Sequence, residues 1–149
     1  MRAVIQRVAS ASVTIDGQTI DRIRTGLLVY VGIGEDDSEA DLDSMVQKIR
    51  YLRIFPDDQG KMNRDVAEAE GGVLVVSNFT LYGDVRKGRR PAFTGAAPPE
   101  QANELYERLC DGLRAEGLEV ATGRFRKSMA VESVNAGPIN ILLDSRRRF

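Results

Sequence analysis

The first third of the chain alternates apolar and polar residues in a way that predicts β-strands. Residues 2–8 and 12–15 carry this pattern. Asp16-Gly17 follows the second segment and is typical of a two-residue hairpin turn, because both turn positions need positive φ. Residues 26–33 form a continuous apolar run, which indicates a strand that is buried on both faces.

Two later segments have the spacing of amphipathic helices. The first covers residues 38–53, where Ser38 and Asp41 resemble a capping box and apolar residues recur every three or four positions. The second begins near residue 98 or 99, since proline is tolerated in a first turn, and it ends at Gly117. Both helices should bury one apolar stripe against the rest of the protein.

Further strands are predicted between and after these helices. A buried strand over residues 73–76 precedes a loop over 82–97 that is rich in Gly, Arg and Pro. Three short strands follow the second helix, near residues 118–122, 128–134 and 139–144. This order predicts an α+β fold of one domain, residues 1–149, with helices packed on one side of a largely antiparallel sheet.

The composition limits the chemistry that the chain can perform. It contains no histidine and one cysteine, which excludes Ser-His-Asp and Cys-His mechanisms and argues against a zinc site. We therefore expect no metal and no cofactor. Cys110 borders the stripe of the second helix and is predicted to be a small core residue, not a nucleophile. Any hydrolysis must use backbone donors, hydroxyl groups or groups of the substrate.

The same composition predicts a cytoplasmic protein that does not enter membranes. No apolar run approaches the ~18–20 residues that a membrane helix needs. The first residues become polar too early for a secretory signal. A single cysteine is also typical of proteins from a reducing compartment.

The basic residues are concentrated in three short stretches, although the formal net charge is only −1. Such clusters either offer a positive face to phosphate groups or are simply solvated surface. The clusters consist of Arg86, Lys87, Arg89 and Arg90, then Arg124, Arg126 and Lys127, and finally Arg146, Arg147 and Arg148.

Two polar segments are candidates for a functional site. Residues 77–81 (Ser-Asn-Phe-Thr-Leu) follow a buried strand, so backbone N–H groups that leave the ladder there could bind an oxyanion. Residues 135–140 (Asn-Ala-Gly-Pro-Ile-Asn) contain a Gly-Pro pair, which makes a rigid corner. The residue pattern alone favours a purely structural interpretation of both segments: a strand that ends in a polar turn, and a plain turn between two strands.

Several blocks of the sequence, in order, resemble the D-aminoacyl-tRNA deacylase family, formerly called D-tyrosyl-tRNA deacylases. Residues 73–81, VLVVSNFTL, are similar to the family signature VLVVSQFTL. The resemblance extends along nearly the whole chain through Ile5-Gln6-Arg7-Val8, Gly26-Leu27-Leu28-Val29, Arg53-Ile54-Phe55, Gly60-Lys61-Met62-Asn63, Arg90-Pro91-Ala92-Phe93, Thr122-Gly123-Arg124-Phe125 and Val134-Asn135-Ala136-Gly137-Pro138.

The resemblance implies an enzyme that hydrolyses the ester of D-aminoacyl-tRNA, and of glycyl-tRNA where chirality is absent. It implies a barrel-like or sandwich arrangement of antiparallel-rich sheets and a homodimer with active sites at the interface. Catalytic roles would fall to Ser77, Asn78, Phe79 and Thr80, with the N–H groups of Phe79 and Thr80 as the oxyanion hole. The chiral gate would consist of Asn135, Ala136, Gly137 and Pro138, in which a cis Gly-Pro peptide reaches into the partner's site.

Contacts to tRNA are assigned to Arg86, Lys87, Arg89, Arg90 and Arg124. Thr80 has two possible roles: its hydroxyl is a nucleophile, or the terminal 2′-OH of the tRNA assists the reaction. We favour the second, because the chain has no histidine to activate the hydroxyl.

Two residues depart from the family pattern inside the site motifs. Asn78 stands where the signature has glutamine, and Asn140 stands where threonine is usual. These departures keep open the alternative of a tRNA-binding homologue with impaired catalysis. A third hypothesis is an unrelated dimeric domain that binds a small molecule and whose basic clusters are only solvated. The deacylase and the tRNA-binding homologue both predict an affinity for RNA that falls steeply as salt rises, whereas the unrelated domain predicts no such affinity.

Overall fold

Strand β1 (Arg2–Ile15) forms hydrogen-bonded ladders on both of its edges in the computed structural model, which describes residues 1–149. The two strands predicted over residues 2–8 and 12–15 are therefore one continuous strand. The ladder with the last strand of the chain runs past residues 9–11 and holds them extended, with register shifts on both sides of Val8.

The predicted hairpin is confirmed. Asp16 and Gly17 have φ values of 49° and 77°, so both occupy the left-handed region that the turn requires. Strand β2 (Gln18–Ile23) returns antiparallel to β1, and strand β3 (Gly26–Gly32) pairs with the other half of β1. All residues of β3 except Tyr30 are buried, as the continuous apolar run indicated.

The remaining strands extend this sheet in the order β2-β1-β3-β6-β7, with the last strand, β8, on the opposite edge of β1. These are β6 (Gly72–Ser77), β7 (Val120–Thr122) and β8 (Ala130–Asp144). The pairs β3–β6 and β6–β7 are parallel, and the three pairs that involve β1 are antiparallel. A short ribbon of β4 (Phe55–Pro56) and β5 (Met62–Arg64) lies apart from the sheet.

The sheet curls into a nearly closed barrel. The carboxylate of Asp21 in β2 accepts a hydrogen bond of 2.9 Å from the N–H of Thr122 in β7, which joins the two ends of the strand order. Apolar residues of β1, β2, β3, β6 and β7 fill the interior: Val8, Ala11, Val13, Ile23, Leu28, Leu74, Val76 and Ala121. The predicted α+β class and the antiparallel-rich, barrel-like sheet are confirmed.

Both helices pack on one outer face of the barrel, as predicted. They are α1 (Glu39–Arg50), which begins with the predicted Ser38–Asp41 capping box and ends before residue 53, and α2 (Pro99–Ala115). Their apolar stripes share one cluster of 22 buried residues with β1, β3 and β6. Cys110 is only 2% exposed within that cluster, and burial raises the pKa of its thiol to about 11. Neither helix has the length and apolarity needed to cross a bilayer.

The last two predicted strands are a single strand. Residues 128–134 and 139–144 were expected to flank a turn, but β8 pairs with β1 from Ala130 to Asp144. The Gly-Pro corner is instead a bulge within β8. Long-range pairing with β1 on both sides of the bulge keeps the strand continuous, which local turn chemistry does not reveal.

A network around the buried carboxylates of Asp37 and Asp41 connects the two ends of the chain. The Asp41 carboxylate, 8% exposed, accepts hydrogen bonds from the Ser145 hydroxyl at 2.6 Å and from Arg146 at 3.3 Å. Burial by itself would raise the pKa of Asp41, but hydrogen bonds from Ser145, Arg146 and Ser38 outweigh it and hold that pKa well below its usual range. Arg146 therefore binds within the chain, although the sequence groups it with the basic tail.

We expect Asp41→Asn to reduce the free energy of unfolding by about 1.5–3 kcal/mol at pH 7, because it removes charged hydrogen bonds. A carboxylate whose pKa is lowered on folding contributes stability above its unfolded pKa of about 3.9, and this contribution is lost as the pH falls. The difference from wild type should therefore narrow below pH 4. Urea denaturation at several pH values measures it.

The exposed residue Asp43 on the same helix provides the control. Asp43→Asn should change the unfolding free energy by less than about 0.5 kcal/mol. A difference between wild type and Asp41→Asn that is the same at pH 7 and pH 3 would contradict the assigned role.

Candidate active site

The segment Ser77–Thr80 begins where β6 leaves the sheet. Ser77 is the last residue of β6 to pair with β3, opposite Val31, and the N–H of Asn78 donates to the Val31 carbonyl at 2.8 Å. The chain then turns into a short 3-10 helix, Phe79–Tyr82. Because β6 lies between two parallel neighbours, the start of this segment is held rigidly, as expected for polar groups at the end of a buried strand.

The side chain of Asn78 caps this 3-10 helix. Its Oδ1 accepts a hydrogen bond from the Thr80 N–H at 3.1 Å and another from the Thr80 hydroxyl. No loop or turn hydrogen bond uses the N–H of Phe79, which remains a free donor. Of the two donors predicted for an oxyanion hole, one is therefore free and the other is bound to Asn78.

A cavity of about 730 Å³ opens beside this segment at one end of the barrel. Aromatic and apolar side chains form most of its wall, including Tyr30, Phe79, Phe93, Phe125 and Met129. Phe79 is 56% exposed, and its ring meets that of Phe93 edge to face at 5.0 Å. The cavity thus combines flat apolar walls with the polar groups of residues 77 and 78, an arrangement that suits a ligand with an aromatic ring and a polar end.

Two basic residues also line the cavity: Arg126 and Lys127, from the loop between β7 and β8. The sequence placed them in a basic cluster but did not include them among the site residues. Arg124 lines a different, smaller pocket of about 350 Å³. The sequence indicated a place for Arg126 and Lys127 in the site only through their proximity to the Thr122–Phe125 motif.

The other basic cluster lies on the long loop before α2. Arg86 is paired with Asp84 at 2.6 Å, and this pairing is the main reason that the pKa of Asp84 falls to about 2. Lys87, Arg89 and Arg90 are exposed. The same loop supplies Phe93 to the cavity wall. The three exposed cations therefore lie on a loop that forms part of the candidate site.

Gly137 and Pro138 occupy the tip of the bulge in β8, and both are exposed. The peptide between them is cis, as the resemblance implies. Gly137 has a φ of +133°, and a Cβ at this position would lie 2.8 Å from Cγ1 of Ile139, so only glycine fits without strain. Arg7 lies behind the tip and donates from Nε to the Ala136 carbonyl at 3.1 Å.

The two predicted parts of the site do not meet within one chain. The wall of the cavity beside Asn78 and Phe79 includes none of residues 135–138. The gate residues lie on β8, which pairs with β1 only, whereas the cavity opens at the end of β3 and β6. Single-chain geometry therefore leaves the gate and the oxyanion donors as separate surfaces.

Comparison with known proteins identifies the family. The sequence model of D-Tyr-tRNA(Tyr) deacylases matches residues 4–144. The chain belongs to this deacylase family. Proteins named D-aminoacyl-tRNA deacylase from Thermotoga petrophila and Anaeromyxobacter dehalogenans are 54% and 56% identical to it, over the full length of both chains in each case.

Solved structures share the fold of this chain. A protein named c-Myc DNA Unwinding Element Binding Protein is 40% identical, with a TM-score of 0.91 over 97% of this chain and 98% of its own. A probable eukaryotic D-amino acid tRNA deacylase has a TM-score of 0.80 over 95% and 97% of the two chains. At 20% identity, that second likeness concerns the fold alone.

Membership of the deacylase family confirms the resemblance that the sequence motifs indicated. Asn78 and Asn140, the two departures from the deacylase motifs, both have partners within the chain. Asn78 is one methylene shorter than glutamine, which lets its amide turn back onto Thr80 as a local cap. A member of this family can thus retain the surrounding motif while one amide takes a structural role.

The cap generates a prediction about the Thr80 amide. Asn78→Ala removes the side-chain oxygen that accepts the hydrogen bond of the Thr80 N–H. Hydrogen exchange of the Thr80 backbone amide, measured by NMR, should therefore accelerate by about 3- to 10-fold. Asn63→Ala is the matched control, since Asn63 also bonds through its side chain but lies on β5. Equal exchange rates for the Thr80 amide in wild type and Asn78→Ala would show that the cap does not protect this donor.

Proposed function

We propose that this protein hydrolyses the ester that joins a D-amino acid to tRNA, releasing the free D-amino acid and the tRNA. The observation that carries the proposal is the free Phe79 N–H beside an aromatic-walled cavity, in a chain of the deacylase family. Water adds to the ester carbonyl, the carbon–oxygen bond to the ribose breaks, and the ribose oxygen leaves with a proton. Glycyl-tRNA is a second substrate, because it has no side chain to exclude.

The terminal adenosine of the tRNA is proposed to bind in the cavity. Bases stack on aromatic side chains with about 1–3 kcal/mol per base, and Phe79, Phe93 and Phe125 offer such surfaces. Arg126 and Lys127 at the wall suit the neighbouring phosphates. The exposed cations Lys87, Arg89 and Arg90 extend this positive surface, and Arg86 and Arg124 are assigned the same role.

Catalysis is proposed to depend on positioning and backbone donors. The chain has no histidine, and the Thr80 hydroxyl donates to the Asn78 amide oxygen, which is not a base. The Phe79 N–H stabilises the oxyanion, joined by that of Thr80 when Asn78 releases it. One such donor typically contributes about 10²–10³ in rate. The terminal 2′-OH of the tRNA assists the attack, so the substrate provides what the chain lacks.

The gate and the cavity are proposed to meet in a homodimer. The outer edge of β8 has no partner strand, and Val134 and Leu142 on this strand are 58% and 61% exposed. Unpaired strand edges and exposed apolar residues favour association with another chain. In the dimer, Gly137 and Pro138 of one protomer enter the partner's cavity and occupy the space that an L side chain would need.

Residues 1–149 are proposed to form one domain in each protomer, because the barrel interior and the helix-covered core share β1, β3 and β6. The cytoplasm is the proposed location, since charged tRNA is used there in translation.

A tRNA-binding homologue without catalysis is the second candidate. The contact between Asn78 and the Thr80 N–H favours it, because an occupied donor cannot stabilise an oxyanion. This candidate predicts that charged tRNA binds and that its ester survives.

Deacylation of D-tyrosyl-tRNA and L-tyrosyl-tRNA by the purified protein separates these two functions. We expect rapid release of D-tyrosine, with the L ester cleaved at least about 100-fold more slowly, because exclusion by a rigid gate leaves an L side chain without space. Release of labelled tyrosine measures both rates. Binding of both charged tRNAs without cleavage of either would support the second candidate and contradict the first.

The dimer is tested by mass and activity together. Sedimentation equilibrium should give twice the chain mass of 16.4 kDa. Leu142→Glu should yield single chains and strongly reduced cleavage of the D ester, because a charge on the free edge opposes pairing. Met62→Glu is the matched control, since Met62 is similarly exposed, at 55%, but lies on β5. A fully active wild-type monomer would overturn the shared-site proposal.

A further inference from the structure

The bulge that carries Gly137 and Pro138 has an unusual register. Gln6 of β1 pairs with Asn140 of β8, and Val8 pairs with Asn135. Four residues of β8, 136–139, therefore stand opposite the single residue Arg7. The extra residues must leave the ladder and form a small loop, whose base is closed by Asn135 and Asn140.

The base of this loop is held by side-chain amides. Asn135 Nδ2 donates to Asn140 Oδ1 at 2.6 Å, and Asn135 Oδ1 accepts from the N–H of Ile139 at 3.0 Å. Both ends of the Asn135 amide are thus engaged, one with the residue that closes the loop and the other with the residue after Pro138. The opposite flank is fixed by Arg7, which bonds the Ala136 carbonyl and also the carbonyl of Ile54 at 2.7 Å.

Asn140 determines how the Asn135 amide is oriented. An amide has one acceptor end and one donor end, and only the acceptor end can receive the Ile139 N–H. Because Asn140 Oδ1 binds the donor end, the acceptor end faces Ile139. With an apolar residue at 140, the donor end has no side-chain partner there, and the amide is free to rotate away from Ile139.

We propose that Asn140 is a positioning residue for the Gly137–Pro138 gate and that it sets how strictly L esters are excluded. This inference rests on the proposed function. A gate that excludes L esters by its shape requires a rigid backbone. A more flexible loop base therefore admits more L substrate. Threonine also offers a side-chain oxygen as an acceptor, so Asn140→Thr should preserve the Asn135 orientation.

The experiment compares wild type with Asn140→Ala, Asn140→Thr and Asn103→Ala, using D-tyrosyl-tRNA and L-tyrosyl-tRNA. Asn103 is the matched control because its amide also donates to a side chain, that of Glu107, but on helix α2. We expect Asn140→Ala to lower the ratio of D to L kcat/KM by about 3- to 10-fold, the factor that corresponds to one lost hydrogen bond. Asn140→Thr should restore most of the ratio, and Asn103→Ala should leave it unchanged.

An unchanged ratio in Asn140→Ala, or an equal loss in Asn103→Ala, would overturn the inference. A merely structural role would lower the melting temperature and both rates together without changing their ratio. Rescue by threonine separates the acceptor role from simple loss of packing.

A second readout does not depend on catalysis. Hydrogen exchange of the Ile139 amide, measured by NMR, should accelerate in Asn140→Ala but not in Asn103→Ala. If wild type cleaves neither ester, the proposed function fails, while faster Ile139 exchange still establishes the Asn140–Asn135 clamp. If wild type discriminates between the D and L esters but Asn140→Ala leaves Ile139 exchange unchanged, the role of Asn140 is contradicted while the proposed function stands.

Discussion

The double pairing of β1 is the constraint on which the rest of the structure depends. One edge of this strand pairs with β3 and then β2, and the other pairs with β8 along almost its whole length. Ala3 and Ile5 face the helices, whereas Val8, Ala11 and Val13 face the barrel interior. Odd-numbered residues of β1 therefore face the helices before Val8 and the barrel interior after it. This change of face coincides with the register shift that follows Val8, so the irregularity lets one strand contribute residues to both cores.

The same pairing places the two proposed parts of the site on separate surfaces. Strands β3 and β6 end together and hold residues 77–80 beside the cavity, while the opposite edge of β1 carries β8 and its bulge. In the proposed dimer, each chain would lend its gate to the cavity of the other, so the two surfaces would form one site together. Discrimination between enantiomers would then depend on association as well as on folding.

Amide side chains fix the backbone at two places where it leaves a ladder. Asn78 bonds the Thr80 N–H after β6, and Asn135 bonds the Ile139 N–H within the β8 bulge. Asparagine suits this task because its short amide reaches backbone groups a few residues away. The two departures from the family motifs, Asn78 and Asn140, therefore act on backbone geometry near the proposed chemistry.

Local physics explains what the sequence determined by itself. Helical spacing predicted α1 and α2, the apolar runs predicted β3 and β6, and Asp16-Gly17 predicted the hairpin, since each depends on neighbours in the chain. The motif around residues 73–81 also indicated the deacylase family. The absence of histidine already excluded His-based mechanisms and left backbone donors, hydroxyl groups or groups of the substrate for any hydrolysis.

Tertiary structure alone decided the contacts between distant residues. The continuity of β8, the bond from Arg7 to Ala136, and the meeting of Arg126 with Phe79 around one cavity all join segments far apart in the chain. The hydrogen bond between Asn78 and Thr80 is local, but it forms where β6 leaves the sheet. Periodicity and turn propensity describe neighbours, whereas register and cavity walls are fixed only when the whole sheet closes.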